Sequence, residues 1–268
     1  MNWTEHQQAV LRELGLRLWL PPADGTASAP AAEHRHAAEP SAPLPAIERR
    51  PEFSRPGVPV SASAPVAPAT RPSGVAALDW PELRAAVQGC QACRLCESRT
   101  QTVFGVGNLR AQWLLIGEAP GEQEDRQGEP FVGKAGQLLD QMLHAVGLTR
   151  AQAPPERQVY IANVLKCRPP GNRNPEPQEV AKCEPFLQRQ VELVQPRLIL
   201  AMGRFAVQSL LRSSEPIGRL RGRVHQYHGV PVVVTYHPAY LLRNPVDKSR
   251  AWDDLCLARE VLAGTAPG

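Results

Sequence analysis

Apolar residues in the second two thirds of the chain fall into short unbroken runs that alternate with stretches of helical spacing. Trp113-Leu-Leu-Ile-Gly117 is an apolar run closed by glycine and predicts a strand, whereas residues 136–146 place Leu138, Leu139, Met142 and Leu143 on one side of a helix. The alternation repeats three times. Residues 159–165 read as a strand and 176–193 as a helix, 197–202 as a strand and 205–211 as a helix, 230–236 as a strand and 252–262 as a closing helix. Strands joined by helical crossovers imply a mainly parallel sheet covered on both faces, with functional groups gathered beyond the C-terminal ends of the strands. The unusual residues do follow strands: GEAPGE the first, Lys166-Cys-Arg-Pro-Pro170 the second and His237-Pro238 the fourth.

The first third has a different texture. Within residues 1–20, Thr4 and Gln7 have capping-box spacing, and Val10, Leu11, Leu14 and Leu18 follow at helical intervals, so a short amphipathic helix is expected there. It reads either as a docking peptide for a partner or as a helix that fails to persist or packs loosely on the body. Residues 21–77 hold a large share of the 28 prolines among Ala and Ser and cannot bury enough apolar surface to offset the entropy of ordering; a disordered linker is expected, leaving residues 78–268 as the folded domain.

Composition narrows the class without deciding it. A hydrophobic fraction of 43% is enough for a core, and a net charge of +4 permits a polyanionic partner without requiring one. No run of eighteen apolar residues occurs and the N-terminus lacks a secretory pattern, so a cytoplasmic protein, with no membrane partner and acting as a monomer, is expected. Six cysteines are too few for a disulfide scaffold. Cys90 and Cys93 form a CxxC pair, and Cys167 and Cys183 lie far along the chain; on spacing alone this Cys₄ set suits an iron–sulfur cluster, zinc or unligated thiols. Cys96 makes a second CxxC with Cys93, and Cys256 sits on an apolar helical face. Residues 128–135 come close to a phosphate-binding GxxxxGK[ST] loop, but Ala135 lacks the hydroxyl that would hold Mg²⁺ and the segment does not directly follow a strand; Lys134, at a helix start, instead suits a DNA phosphate.

Four motifs in order, GEAPGEQED, GEPFVGKAGQLLD, Ile161-Ala-Asn163 running into KCRPPGNR, and HPAYLLRNP, resemble the family 4 uracil-DNA glycosylases, the iron–sulfur branch of the uracil-DNA glycosylase superfamily. The likeness spans about residues 85–262. It implies a three-layer α/β/α fold around a four-stranded parallel sheet, removal of uracil from DNA to leave an abasic site, and a structural [4Fe-4S] cluster on Cys90, Cys93, Cys167 and Cys183, with Cys96 excluded. Such an enzyme flips the base out of the duplex into a closed pocket and reads it by stacking and hydrogen bonds.

The motifs then suggest roles. The loop bearing Gly117 and Ala119 would face the base with Phe131 stacking on it; core packing is the alternative for Phe131. Asn163 resembles the uracil reader, since an amide offers both a donor and an acceptor, although alone it would as readily cap a turn. His237 would donate to uracil O2 as negative charge develops there, its other reading being a structural turn residue. Where other branches carry Asp or Asn this chain has Ala119, so the water-directing group must be another; Glu124 is preferred, with Glu118 organising the loop. In HPAYLLR, Leu241 or Leu242 would wedge into the gap left by the base, with Arg243 and Lys248 on phosphates. Arg219, Arg221 and Arg223 form a further basic run, a solvated turn as readily as a DNA contact. Two rivals remain: a catalytically silent, DNA-binding or polymerase-associated member, whose N-terminal helix would dock a repair or replication protein, and a relative that traps the abasic sugar covalently, for which no inserted basic loop is evident.

Overall fold

The computed structural model describes residues 74–264; the helix expected within residues 1–20 and most of the expected linker lie outside the described residues. Six strands, β1 (Val106–Gly107), β2 (Trp113–Gly117), β3 (Tyr160–Asn163), β4 (Leu198–Met202), β5 (Val224–Tyr227) and β6 (Val230–Thr235), form one sheet in the order β1-β3-β2-β4-β6-β5. The four strands expected from the apolar runs are the inner ones, β3-β2-β4-β6, and they run parallel. Both outer positions hold antiparallel strands that pattern reading did not find. Their physical signal is weak: β1 is two residues long, and β5 is Val-His-Gln-Tyr, mostly open to solvent, so neither carries a buried run.

The helices are α1 (Trp80–Gln88), α2 (Leu95–Ser98), α3 (Glu122–Gln127), α4 (Lys134–Ala145), α5 (Pro177–Val194), α6 (Arg204–Leu211), α7 (Ile217–Leu220), α8 (Pro238–Arg243) and α9 (Lys248–Ala263). The last begins four residues before the expected start because its first turn, Lys-Ser-Arg, is polar and hides it from an apolar pattern. A short 3₁₀ turn, Val75–Ala77, precedes α1, and Val75 is buried with Leu83 and Phe186, so the packed body begins three residues ahead of the boundary expected at residue 78.

Side-chain alternation along the parallel strands builds a core on each face. Leu114, Ile116, Ile199, Val232 and Val234 meet Leu187 and Val191 of α5 and Val207 and Leu210 of α6. Leu115, Ile161, Leu200 and Val233 meet Leu139 and Leu143 of α4 and Leu255 and Ala258 of α9. The fold class is thus α/β with helices on both faces. From β2 the chain passes to β3 on one side and later to β4 on the other, so the strand order reverses at β2 and leaves a crevice beyond the C-terminal ends. Gly117, Asn163, Gly203 and His237 are at or just past the ends of the four parallel strands.

Candidate active site

Gly117 and Asn163 are register partners at the ends of β2 and β3. A Cβ at Gly117 would stand 2.4 Å from Asn163 Oδ1 and 2.5 Å from Phe131 Cζ, so the missing side chain is the space in which amide and ring approach each other. Asn163 is 2% exposed, and its Oδ1 is buried with no hydrogen-bond partner among the described residues. Leaving a buried acceptor unpaired typically costs about 1–3 kcal/mol, which a ligand with an N–H donor would recover. Phe131 has φ 57°, a left-handed conformation unusual for a bulky residue. It is held by close packing, since a Cβ at Gly136 in the first turn of α4 would lie 1.7 Å from the Phe131 carbonyl oxygen.

The ring of His237 stacks near that of Phe131, with centroids 5.4 Å apart and planes at 30°. His237 caps α8: its Nδ1 accepts from the Ala239 N–H at 3.2 Å. An acceptor Nδ1 puts the single proton of the neutral ring on Nε2. Burial, reinforced by the positive charge of Arg243 and opposed by Glu124, lowers the pKa of His237 to about 4, so at neutral pH it is an uncharged imidazole with an Nε2–H to donate.

The two carboxylates stand in different surroundings. Glu124 is occupied with backbone: Oε2 accepts from Gly121 N at 3.1 Å, and Oε1 from Val132 N at 3.0 Å and Gly133 N at 3.2 Å. It therefore fastens the start of α3 to the loop carrying Phe131. Glu118, the residue after Gly117, makes no carboxylate hydrogen bond among the described residues; burial raises its pKa to about 7, against the pull of Arg204. Ala119 packs against Leu95, Leu165 and Cys167.

The helix phase decides between the two leucines. Leu241 is 1% exposed, on the face of α8 turned to the body, whereas Leu242, one residue and about 100° further round the helix, is 45% exposed. Of the two leucines expected to supply the wedge, Leu241 is therefore corrected to a core residue, and Leu242 is the exposed one. Lys134, at the first turn of α4, and Arg243 are exposed. In the basic run, Arg221 is committed to Asp254 at 2.8 Å and Arg223 faces Glu215 at 3.6 Å.

Cys90, Cys93, Cys167 and Cys183 line one cavity, to which Arg99, Lys166 and Lys182 also contribute; Cys96 is not part of its wall. Among the described residues no group of three or more His, Cys, Asp or Glu is gathered closely enough to hold a single metal ion. The donor set fits an anionic thiolate-bound group: four cysteines share the cavity wall with Arg99, Lys166 and Lys182, and Arg99 donates to Cys167 Sγ at 3.0 Å. Burial pushes the Cys167 thiol up to about 11 and that of Cys183 to about 12, so both are neutral thiols unless a positive centre draws off their protons.

The family model of the uracil DNA glycosylase superfamily matches residues 104–256, which carry the whole pocket. The chain belongs to this superfamily. It is 44% identical over 167 residues to the type-4 uracil-DNA glycosylase of Archaeoglobus fulgidus, covering 59% of this chain and 81% of the relative. It is 43% identical over 166 residues to that of Thermotoga maritima, covering 61% and 83%, and 40% identical over 186 residues to that of Saccharolobus solfataricus, covering 66% and 83%. Several supports of this superfamily site escaped sequence reading. Arg150 pairs with Asp140 at 2.6 Å and donates to the Pro130 carbonyl at 3.1 Å, pinning the peptide before Phe131. Lys166 reaches back to the Asn163 carbonyl. Arg150 lies in no motif, and Lys166, although it opens KCRPPGNR, carries no sign there of which group its side chain meets.

Proposed function

We propose that this chain is a DNA-repair glycosylase that hydrolyses the N-glycosidic bond of uracil in DNA and leaves an abasic site. The observation that carries the reading is the buried, unpartnered Oδ1 of Asn163 beside the rings of Phe131 and His237. Uracil presents a donor at N3 and an acceptor at O4, which match the acceptor and donor of an amide. Phe131 stacks on the flipped base, and Gly117 leaves the base room. The type-4 names of the relatives point the same way.

In the reaction, the C1′–N1 bond breaks and its electron pair passes into the uracil ring and onto O2. The Nε2–H of neutral His237 donates to that oxygen, stabilising charge present only as the bond breaks. Water adds to C1′, and Glu118, whose carboxylate has no hydrogen-bond partner among the described residues, orients it and accepts its proton. Glu124 acts on structure, by holding the Phe131 loop. Leu242 fills the space vacated by the base, with Lys134 and Arg243 on flanking phosphates.

Cys90, Cys93, Cys167 and Cys183 would hold a [4Fe-4S] cluster, and Arg99 would neutralise part of its charge. When bound, the cluster supplies iron–thiolate cross-links between the segment before α2, the exit of β3 and α5. No helix among the described residues is long and apolar enough to cross a membrane; a DNA substrate and reduced thiols suit a cytoplasmic site of action. Incubation with an oligonucleotide containing one uracil, followed by alkali, tests the function: strand scission at the uracil and none at a thymine control is expected, and an intact strand contradicts it.

A further inference from the structure

Between the base pocket and the cysteine cavity lies Lys166, only 1% exposed. Its Nζ donates to the main-chain oxygen of Asn163 at 2.8 Å and to Gln190 Oε1 at 2.6 Å. Gln190 is fixed in turn, its amide donating to the Phe104 carbonyl at 2.9 Å and the Tyr160 hydroxyl at 3.2 Å. Val103 N donates to the Lys166 carbonyl at 2.8 Å. Both acceptors of the ammonium are uncharged. A buried cation without a carboxylate is costly where a methionine of similar length would fill the same volume, so the charge is not explained by packing. What it does provide is a short, charge-assisted hydrogen bond to the peptide from which the amide of Asn163 projects.

We propose that Lys166 is a positioning residue for base recognition: through Gln190 it is anchored to α5 and to the segment before β1, and it holds the end of β3 so that the Asn163 amide meets the base at a fixed height and angle. The inference rests on the reading of Asn163 as the base reader. Beyond Asn163 the chain still follows β2, with Val164 N donating to the Gly117 carbonyl at 3.0 Å and Leu165 N to that of Glu118 at 3.1 Å, so the loop above the base has backbone ties of its own and Lys166 acts on the Asn163 peptide. Recognition groups tolerate displacements of only about 0.5 Å before discrimination suffers.

The test is a double-mutant cycle in single-turnover uracil excision, with iron content measured on each protein. Asn163→Ala should lower the rate steeply, and Lys166→Met should lower it about tenfold to a hundredfold with iron retained. In the Asn163→Ala background, Lys166→Met should change the rate by no more than about twofold, because it acts through the side chain already removed. Additive losses, or a lowered melting temperature with an unchanged rate, would overturn the proposal; so would loss of iron in Lys166→Met, which would assign the ammonium to the cysteine site. A near wild-type rate for Asn163→Ala would instead remove the reading beneath it. If the methionine variant does not accumulate, Lys166→Arg, which keeps the charge but moves the donors, should give the same non-additivity, and additivity there contradicts the proposal.

Discussion

Gly117 and Asn163 face each other across β2 and β3 so closely that one methyl group at position 117 would stand 2.4 Å from the Asn163 amide oxygen. The same methyl would stand 2.5 Å from the Phe131 ring. Gly117→Ala must therefore displace amide or ring from its place against the base. A misplacement of about 1 Å can cost about 10²-fold in rate, and a loss of that order in single-turnover excision is expected, with the folded state retained by circular dichroism. A rate within twofold of wild type would mean that the base does not bind here.

His237→Ala should lower the excision rate by about 10²- to 10³-fold, the usual loss for a preorganised donor at an oxyanion, while the dissociation constant for uracil-containing DNA measured by anisotropy changes little. Equal losses in binding and rate would make His237 a structural cap of α8.

The pH dependence separates the two titratable groups. Glu118, raised to about 7, must be ionised to take a proton from water, so the rate should rise with pH through about 7 and then level off. His237, lowered to about 4, is already neutral across that range and should add no limb near its ordinary value of about 6.5. Stability responds with opposite signs. Native Glu118 holds its proton between its ordinary value and about 7, so its contribution falls as pH rises through that window; native His237 refuses a proton between about 6.5 and 4, so its contribution falls as pH drops through that one. Glu118→Gln should flatten the rising limb and slow excision, whereas Glu124→Gln should loosen the loop and lower the melting temperature. A limb that survives Glu118→Gln would return the water to Glu124.

Anaerobically purified protein should be brown and carry about four irons per chain. Cys167→Ser or Cys183→Ser should remove both, and Cys96→Ser should keep them. A colourless protein with one zinc would contradict the cluster, as would loss of iron in Cys96→Ser with retention in Cys90→Ser.

The placement of Gly117, Asn163 and His237 at or just past strand ends was legible in the apolar runs, whereas the roles proposed for them came from the resemblance of the motifs around them. The chemistry was not legible where the answer depends on how loops close. Glu118 and Glu124 are alike on paper, and only the closure of the 131–133 loop onto Glu124 occupies that carboxylate. Leu241 and Leu242 differ by one step of helical phase, which no motif fixes. The partner of Lys166, Gln190, is 24 residues away on another element and carries no signal that ties it to a strand end. The edge strands β1 and β5 lacked a buried run, so the sheet was read as four strands where it has six.

The most direct test of base reading compares wild type with Asn163→Asp on matched oligonucleotides carrying one uracil or one extrahelical cytosine, at equal enzyme concentration. Cytosine presents a donor at N4 and an acceptor at N3, the reverse of uracil. A carboxylate can accept from the cytosine amine and, when protonated, donate to N3, but it sets an acceptor against uracil O4. Each mispaired buried group costs about 1–3 kcal/mol, enough to shift discrimination by one to several powers of ten. The predicted result is rapid uracil release and no cytosine release by wild type, and from Asn163→Asp a steep loss on uracil with weak, measurable cytosine release. Uracil release by Asn163→Asp at near wild-type rate would contradict the assignment of the pocket.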